Sequence, residues 1–82
     1  MRVHEVTVRR SFDFQDWQTL SRTASGFKSD ILLLCEEKEI KLDAKSVLGI
    51  MILPLREGTK LRIQTRGGDE EEALDAMCEL LE

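Results

Sequence analysis

Sixteen carboxylates, one histidine and two cysteines are the side chains in this sequence best suited to act as acid, nucleophile or metal ligand, and their spacing limits what they can do. His4 is the only histidine. An imidazole is nucleophilic near neutral pH and can accept and pass on a phosphoryl group. His4, however, sits in "RVHEVTVRR", where alternation reads as a strand, so it is taken as an ordinary strand histidine. Asp13 and Asp16 could form an acyl-phosphate or an acid/base pair. With no third group beside them, they read as the cap and first-turn charge of a helix. Arg9 and Arg10 read as the solvated end of a strand. Gly67-Gly68 is too short for a phosphate loop, and the acidic run Asp69, Glu70, Glu71, Glu72 would repel phosphate. One histidine and two cysteines far apart in sequence, Cys35 and Cys78, give no metal-ligand spacing. No metal or cofactor is expected.

Ser46 is different. In "AKSVLGIM" a hydroxyl stands at the head of a strongly apolar segment. A serine there can cap a helix by accepting a hydrogen bond from a free backbone N–H. The same helix start, with its positive dipole end, can also carry a phosphoserine. Val47, Leu48, Ile50, Met51, Ile52 and Leu53 leave almost no polar face. A helix of about two turns lying on a sheet buries one side only. Either Val47, Leu48 and Met51 form an exposed patch beside Lys45 and Ser46, fit for a protein partner, or they pack under neighbouring loops.

The elements that must position these residues follow from periodicity. Val6 and Val8 share a parity with His4 in a first strand. Trp17, Leu20, Ser21 and Ala24 then fall at helical spacing, with Asp13 as N-cap and Gly26 where a C′ residue belongs. "DILLLCEEKEIKLDA" reads as a hairpin turning at "EEK". Ile31, Leu33 and Cys35 alternate with the equally apolar Leu32 and Leu34, so that strand is expected to be covered on both faces or to touch a partner. Pro54 stops the segment after Ser46. Leu61 and Ile63 face inward on a last strand. Ala73, Leu74, Met77, Cys78 and Leu81 make the core stripe of a last helix, with Asp69 and Glu72 as its capping box. The order is strand, helix, strand, strand, short helix, strand, helix. It predicts an α+β open sandwich in which a four-stranded antiparallel sheet carries three helices on one face, near 13–25, 46–53 and 69–81.

The whole chain narrows the classes further. Eighty-two residues fit a single domain, 1–82. The net charge of −4 argues against a phosphate backbone as partner. No apolar stretch approaches the ~20 residues of a membrane helix, and the first residues lack a signal-peptide pattern. The two separated cysteines fit a reduced, cytoplasmic protein.

The stretches "DAKSVLGIM" and "EGTKLRIQTRGGDEEEALDAMCELLE", together with "HEVTVRR" and "TASGFKSDILLL", resemble the HPr phosphocarrier family of the bacterial sugar phosphotransferase system. The resemblance covers nearly the whole chain. It implies the βαββαβα fold, an HPr-like open-faced β-sandwich. It also implies that Ser46 is the serine phosphorylated by an ATP-dependent HPr kinase, with binding to a catabolite-control transcription factor to follow. The family's phospho-accepting histidine lies in a Gly-hydrophobic-His-x-Arg-Pro-Ala stretch at the first helix. The corresponding segment here, "SFDFQDWQ", has no histidine, proline or arginine and places Asp13 or Phe14 near that position. The pattern is similar in kind to the family's catabolite-repression homologue, which keeps the serine and replaces the histidine.

Three functions are therefore weighed. The first, expected here, is a regulatory, partner-binding protein without catalysis, phosphorylated on Ser46 and read through Lys45, Ser46, Val47, Leu48 and Met51. Its partners would be HPr kinase and a catabolite-control transcription factor or metabolic enzyme. The second is a phosphocarrier using an unorthodox acceptor such as His4. The third is a diverged structural scaffold.

Overall fold

The computed structural model describes residues 1–46 and 55–82. Strand β1 spans Arg2–Thr7, helix α1 Phe14–Ser25, β2 Asp30–Cys35, β3 Ile40–Asp43, β4 Lys60–Arg66 and helix α2 Glu70–Leu81. The strands form one sheet in the order β1-β4-β2-β3, and every pairing is antiparallel.

Register follows from side-chain parity. Val6 pairs with Leu61, and Ile63 with both His4 and Leu33, so the apolar positions stack on one face. Against that face lie Trp17, Leu20 and Ala24 from α1 and Ala73, Met77 and Leu81 from α2, in one buried cluster with Ile31, Leu33, Leu61 and Ile63. Among the described residues no helix covers the opposite face. There Leu32 lies between Gln64 and Asp43, and Leu34 between Arg62 and Lys41. Leu32 and Leu34 are half-buried, so polar neighbours cover in part what the sequence pattern expected to be covered on both faces.

The α+β open sandwich is as expected, and two of the three expected helices are among the described residues. The third, expected near 46–53, lies outside them apart from Ser46, which is in neither helix nor strand. The "EEK" hairpin closes through a short 3-10 turn at Glu36–Lys38, with Glu39 left-handed at φ 53°. Gly26 ends α1 in a right-handed conformation, φ −75°, so it terminates the helix without needing glycine's freedom.

The capping box expected at Asp69 does not form: the Asp69 side chain caps no N–H of its own helix. Its carboxylate reaches instead to the entrance of β2 and accepts from the backbone N–H groups of Lys28 and Ser29, both at 2.9 Å, and from the Ser29 hydroxyl. Three donors from one tight turn satisfy a carboxylate better than a single helix N–H.

Candidate functional site

The loop leading to Ser46 is fixed from three directions. Ala44, fully buried, donates its N–H to the Ile31 carbonyl at 2.9 Å and continues the hairpin. Asp43 accepts from the Lys45 N–H at 2.9 Å, an Asx turn, and the Asp43 carbonyl accepts from the Ser46 N–H at 3.0 Å. Ser21, buried in the middle of α1, donates its hydroxyl to the Lys45 carbonyl at 2.6 Å. The Lys45 ammonium turns back to the Phe27 carbonyl just beyond α1, 3.0 Å away, where a cation suits the negative end of the helix dipole. Lys45 and Ser46 are both half-buried. Val47, Leu48 and Met51, the rest of the expected partner surface, lie outside the described residues.

The second candidate region, the start of α1, is a closed network. Asp13 has the extended backbone of an N-cap, φ −94° and ψ −175°. Its carboxylate accepts from the Asp16 N–H at 2.8 Å, and the Asp16 carboxylate accepts from the Asp13 N–H at 3.0 Å. Asp16 also receives the Arg10 guanidinium at 2.8 Å, and Arg10 lies over the Phe12 ring, 5.0 Å from its centre. The Arg10 hydrogen bond, and then that from the Asp13 backbone, hold the Asp16 carboxyl below its ordinary value. The same pairing raises Arg10. Arg10, read from sequence as a solvated strand end, is 60% exposed and adds an ion pair to one carboxylate of the capping box.

His4 belongs to neither region. Its Nε2 lies 3.2 Å from Glu82 Oε1 beyond the end of α2. The Cys78 thiol falls beside them, and the three potential ligand atoms lie within 4.8 Å of one another. Sequence spacing could not show this juxtaposition, because His4 and Glu82 are 78 residues apart. Cys78, expected in the core, is half-buried, while Cys35 is fully buried. On the open face Arg62 bridges Glu5 at 3.0 Å and Glu36 at 2.6 Å across a shallow depression of about 410 Å³. Among the described residues no helix is long and apolar enough to cross a membrane.

These features define an open-faced α+β protein whose candidate groups sit on loops and helix ends, with no enclosed cleft gathering them among the described residues. Residues 4–82 match the family described as "PTS HPr component phosphorylation site". The phosphocarrier protein HPr of Xylella fastidiosa (strain Temecula1) is 36% identical over 81 residues, which span 96% of this chain and 89% of that one. The HPr-like protein Crh of Bacillus subtilis (strain 168) is 31% identical over 74 residues, 90% of this chain and 85% of that one. The crystal structure of a phosphocarrier protein HPr from Bacillus anthracis superposes with a TM-score of 0.90 at 28% identity, covering 99% of this chain and 96% of that one. The chain belongs to the HPr phosphocarrier family of the phosphotransferase system, a family of carrier proteins rather than enzymes.

Proposed function

We propose that this member of the family is a cytoplasmic regulatory protein that binds protein partners and does not carry phosphate on a histidine. The start of α1 carries this reading. Where the family resemblance calls for a phospho-accepting histidine, the chain has a capping box of two carboxylates with an arginine already paired to one of them. A transferred phosphoryl group needs a nucleophile and donors held ready for its oxygens. Here the Asp13 and Asp16 N–H groups are each engaged by the other's carboxylate, and an approaching phosphoryl group would meet like charge.

Ser46 is the residue we assign to phosphorylation. Its loop is held by Ser21, Ile31 and Asp43, so a kinase would meet a formed segment. Lys45, Ser46, Val47, Leu48 and Met51 are the proposed partner surface. The partners proposed are HPr kinase and a catabolite-control transcription factor or metabolic enzyme. Phosphorylation would add about −1.5 to −2 charge beside apolar side chains, giving a partner a charge and a hydrophobic anchor to read together. The similarity to the HPr-like protein Crh supports the same reading.

Two assays test it. Mass spectrometry after incubation with HPr kinase and ATP should find one phosphate on the wild type and none on Ser46→Ala. Labelled phosphoenolpyruvate with the general phosphotransferase enzyme should leave the protein unlabelled. Acid-labile phosphate in stoichiometric amount would overturn the carrier half of the proposal. Equal, unmodified masses in the kinase assay would overturn the regulatory half.

A further inference from the structure

Independently of Ser46, the outer edge of the sheet brings together three side chains with no role in the reading above. Cys78 and Glu82 are four residues apart, so they rise from one face of the last helical turn. That turn is fastened to the chain just beyond β1, where the Arg9 N–H donates to the Leu81 carbonyl at 3.3 Å. His4, on β1, has the parity that faces the helices, and its Nε2 lies 3.2 Å from Glu82 Oε1.

We propose that His4, Cys78 and Glu82 form a binding site for a thiophilic divalent cation, with Zn²⁺ the best match. The donor set is one imidazole nitrogen, one sulfur and one carboxylate oxygen. That mixture suits Zn²⁺ or Co²⁺, whereas Mg²⁺ and Ca²⁺ call for oxygen alone. With metal–ligand bonds of about 2.0–2.3 Å, tetrahedral ligand atoms stand roughly 3.3–3.6 Å apart. The histidine–glutamate edge, at 3.2 Å, falls just short of that length. The thiol, within 4.8 Å of both, closes the triangle by a side-chain rotation of about 1 Å. His4 and Glu82 are each about half exposed, at 49% and 45%, so they can adjust and leave the fourth position to water.

Charge favours the same occupant. A cysteine thiol must lose its proton to bind a metal. A divalent cation displaces that proton to solvent and leaves a thiolate ligand. The thiolate and the Glu82 carboxylate together balance its charge. The bound ion would tie β1 to the end of α2.

Co²⁺ is the probe, with the protein reduced by a phosphine that neither supplies thiol nor chelates. Titration should show one Co²⁺ per chain and a strong near-ultraviolet thiolate-to-cobalt band, displaced by Zn²⁺. Cys78→Ser should abolish the band. His4→Gln and Glu82→Gln should each weaken binding tenfold or more. Zn²⁺ should raise the melting temperature of the wild type and not of Cys78→Ser, whose own melt verifies that it folds. Cys35→Ala serves as the control and should keep the band if it folds; its melt and circular dichroism decide that. Absence of a thiolate band at millimolar Co²⁺, or equal affinity in wild type and Cys78→Ser, would overturn the site and leave His4–Glu82 a surface ion pair.

Discussion

Asp69 and Ser29 are 40 residues apart, and the carboxylate of the first accepts both the backbone N–H and the hydroxyl of the second. Ser29 is fully buried. The contact pins the start of α2 to the entrance of β2, an interior strand that pairs with both β3 and β4.

The Ser29 hydroxyl, followed by the Lys28 N–H, holds the Asp69 carboxyl at about 2, against an ordinary 3.8. The folded value is depressed below the unfolded one. The charge therefore stabilises the fold fully above the ordinary value, and that share is lost as pH falls through about 2. Asp69→Asn should lower the denaturation midpoint at pH 7 and flatten the loss of stability between pH 4 and pH 2. Carboxyl-carbon NMR on the wild type should place the Asp69 titration near 2. A midpoint near 3.8, or an unchanged acid limb in the variant, would show that the three hydrogen bonds do not hold the charge in solution.

Gly67 approaches the same serine. Its φ is +151°, and a Cβ built there would stand 2.5 Å from Ser29 Oγ and 2.7 Å from Ser29 Cα. The serine backbone cannot easily yield, since Asp69 holds its N–H. Gly67→Ala should cost about 1–3 kcal/mol through strain and overpacking. Gly68→Ala is the control. Its Cβ meets nothing within 4 Å, so urea denaturation should leave it near the wild type.

What could be read from sequence divides along lines of locality. The α1 stripe of Trp17, Leu20, Ser21 and Ala24 is the buried set of that helix, because 3.6-residue spacing is a local property. Strand parities were legible for the same reason. Asp13 was legible as a cap because its donors lie within its own first turn. Asp69 has a similar local pattern and a different fate. Its competing donors, Lys28 and Ser29, come from a segment that only the folded sheet brings near. The His4–Cys78–Glu82 cluster and the Arg10–Asp16 pair escaped for related reasons: the first is set by tertiary placement, the second by the way the loop before α1 folds back. Of the Ser46 site, the described residues hold only Lys45 and Ser46, and the lysine's bond to Phe27 has no trace in sequence spacing.

Glu39 offers a stabilising change. It is the one non-glycine residue with positive φ among those described. A left-handed backbone costs a residue with a Cβ roughly 1–2 kcal/mol, of which glycine's greater unfolded entropy returns a part. Glu39→Gly should therefore raise stability by about 0.5–1 kcal/mol. The check is chemical denaturation with an unchanged m-value, which keeps the comparison to one folded state. A destabilised variant would mean that the Glu39 side chain makes a contact worth more than the strain.

The Ser21 hydroxyl ties α1 to the residue before Ser46, so it offers a way to loosen the proposed regulatory loop without touching the loop itself. Ser21 is buried, and its 2.6 Å bond satisfies the Lys45 carbonyl. Ser21→Ala leaves that acceptor without this donor and should cost about 1–3 kcal/mol. Ser21→Thr keeps the hydroxyl and should retain the bond if the extra methyl fits beside Lys45. Phosphorylation of Ser46 by HPr kinase, followed by mass spectrometry, reads the functional consequence. A kinase that needs the loop preformed should modify Ser21→Ala more slowly than wild type at a temperature where both are folded. The position of the wild-type loop would then be part of what the kinase recognises. Equal rates, with Ser46→Ala still unmodified, would show that the kinase reads only the local sequence around Ser46 and that the Ser21 bond serves stability alone.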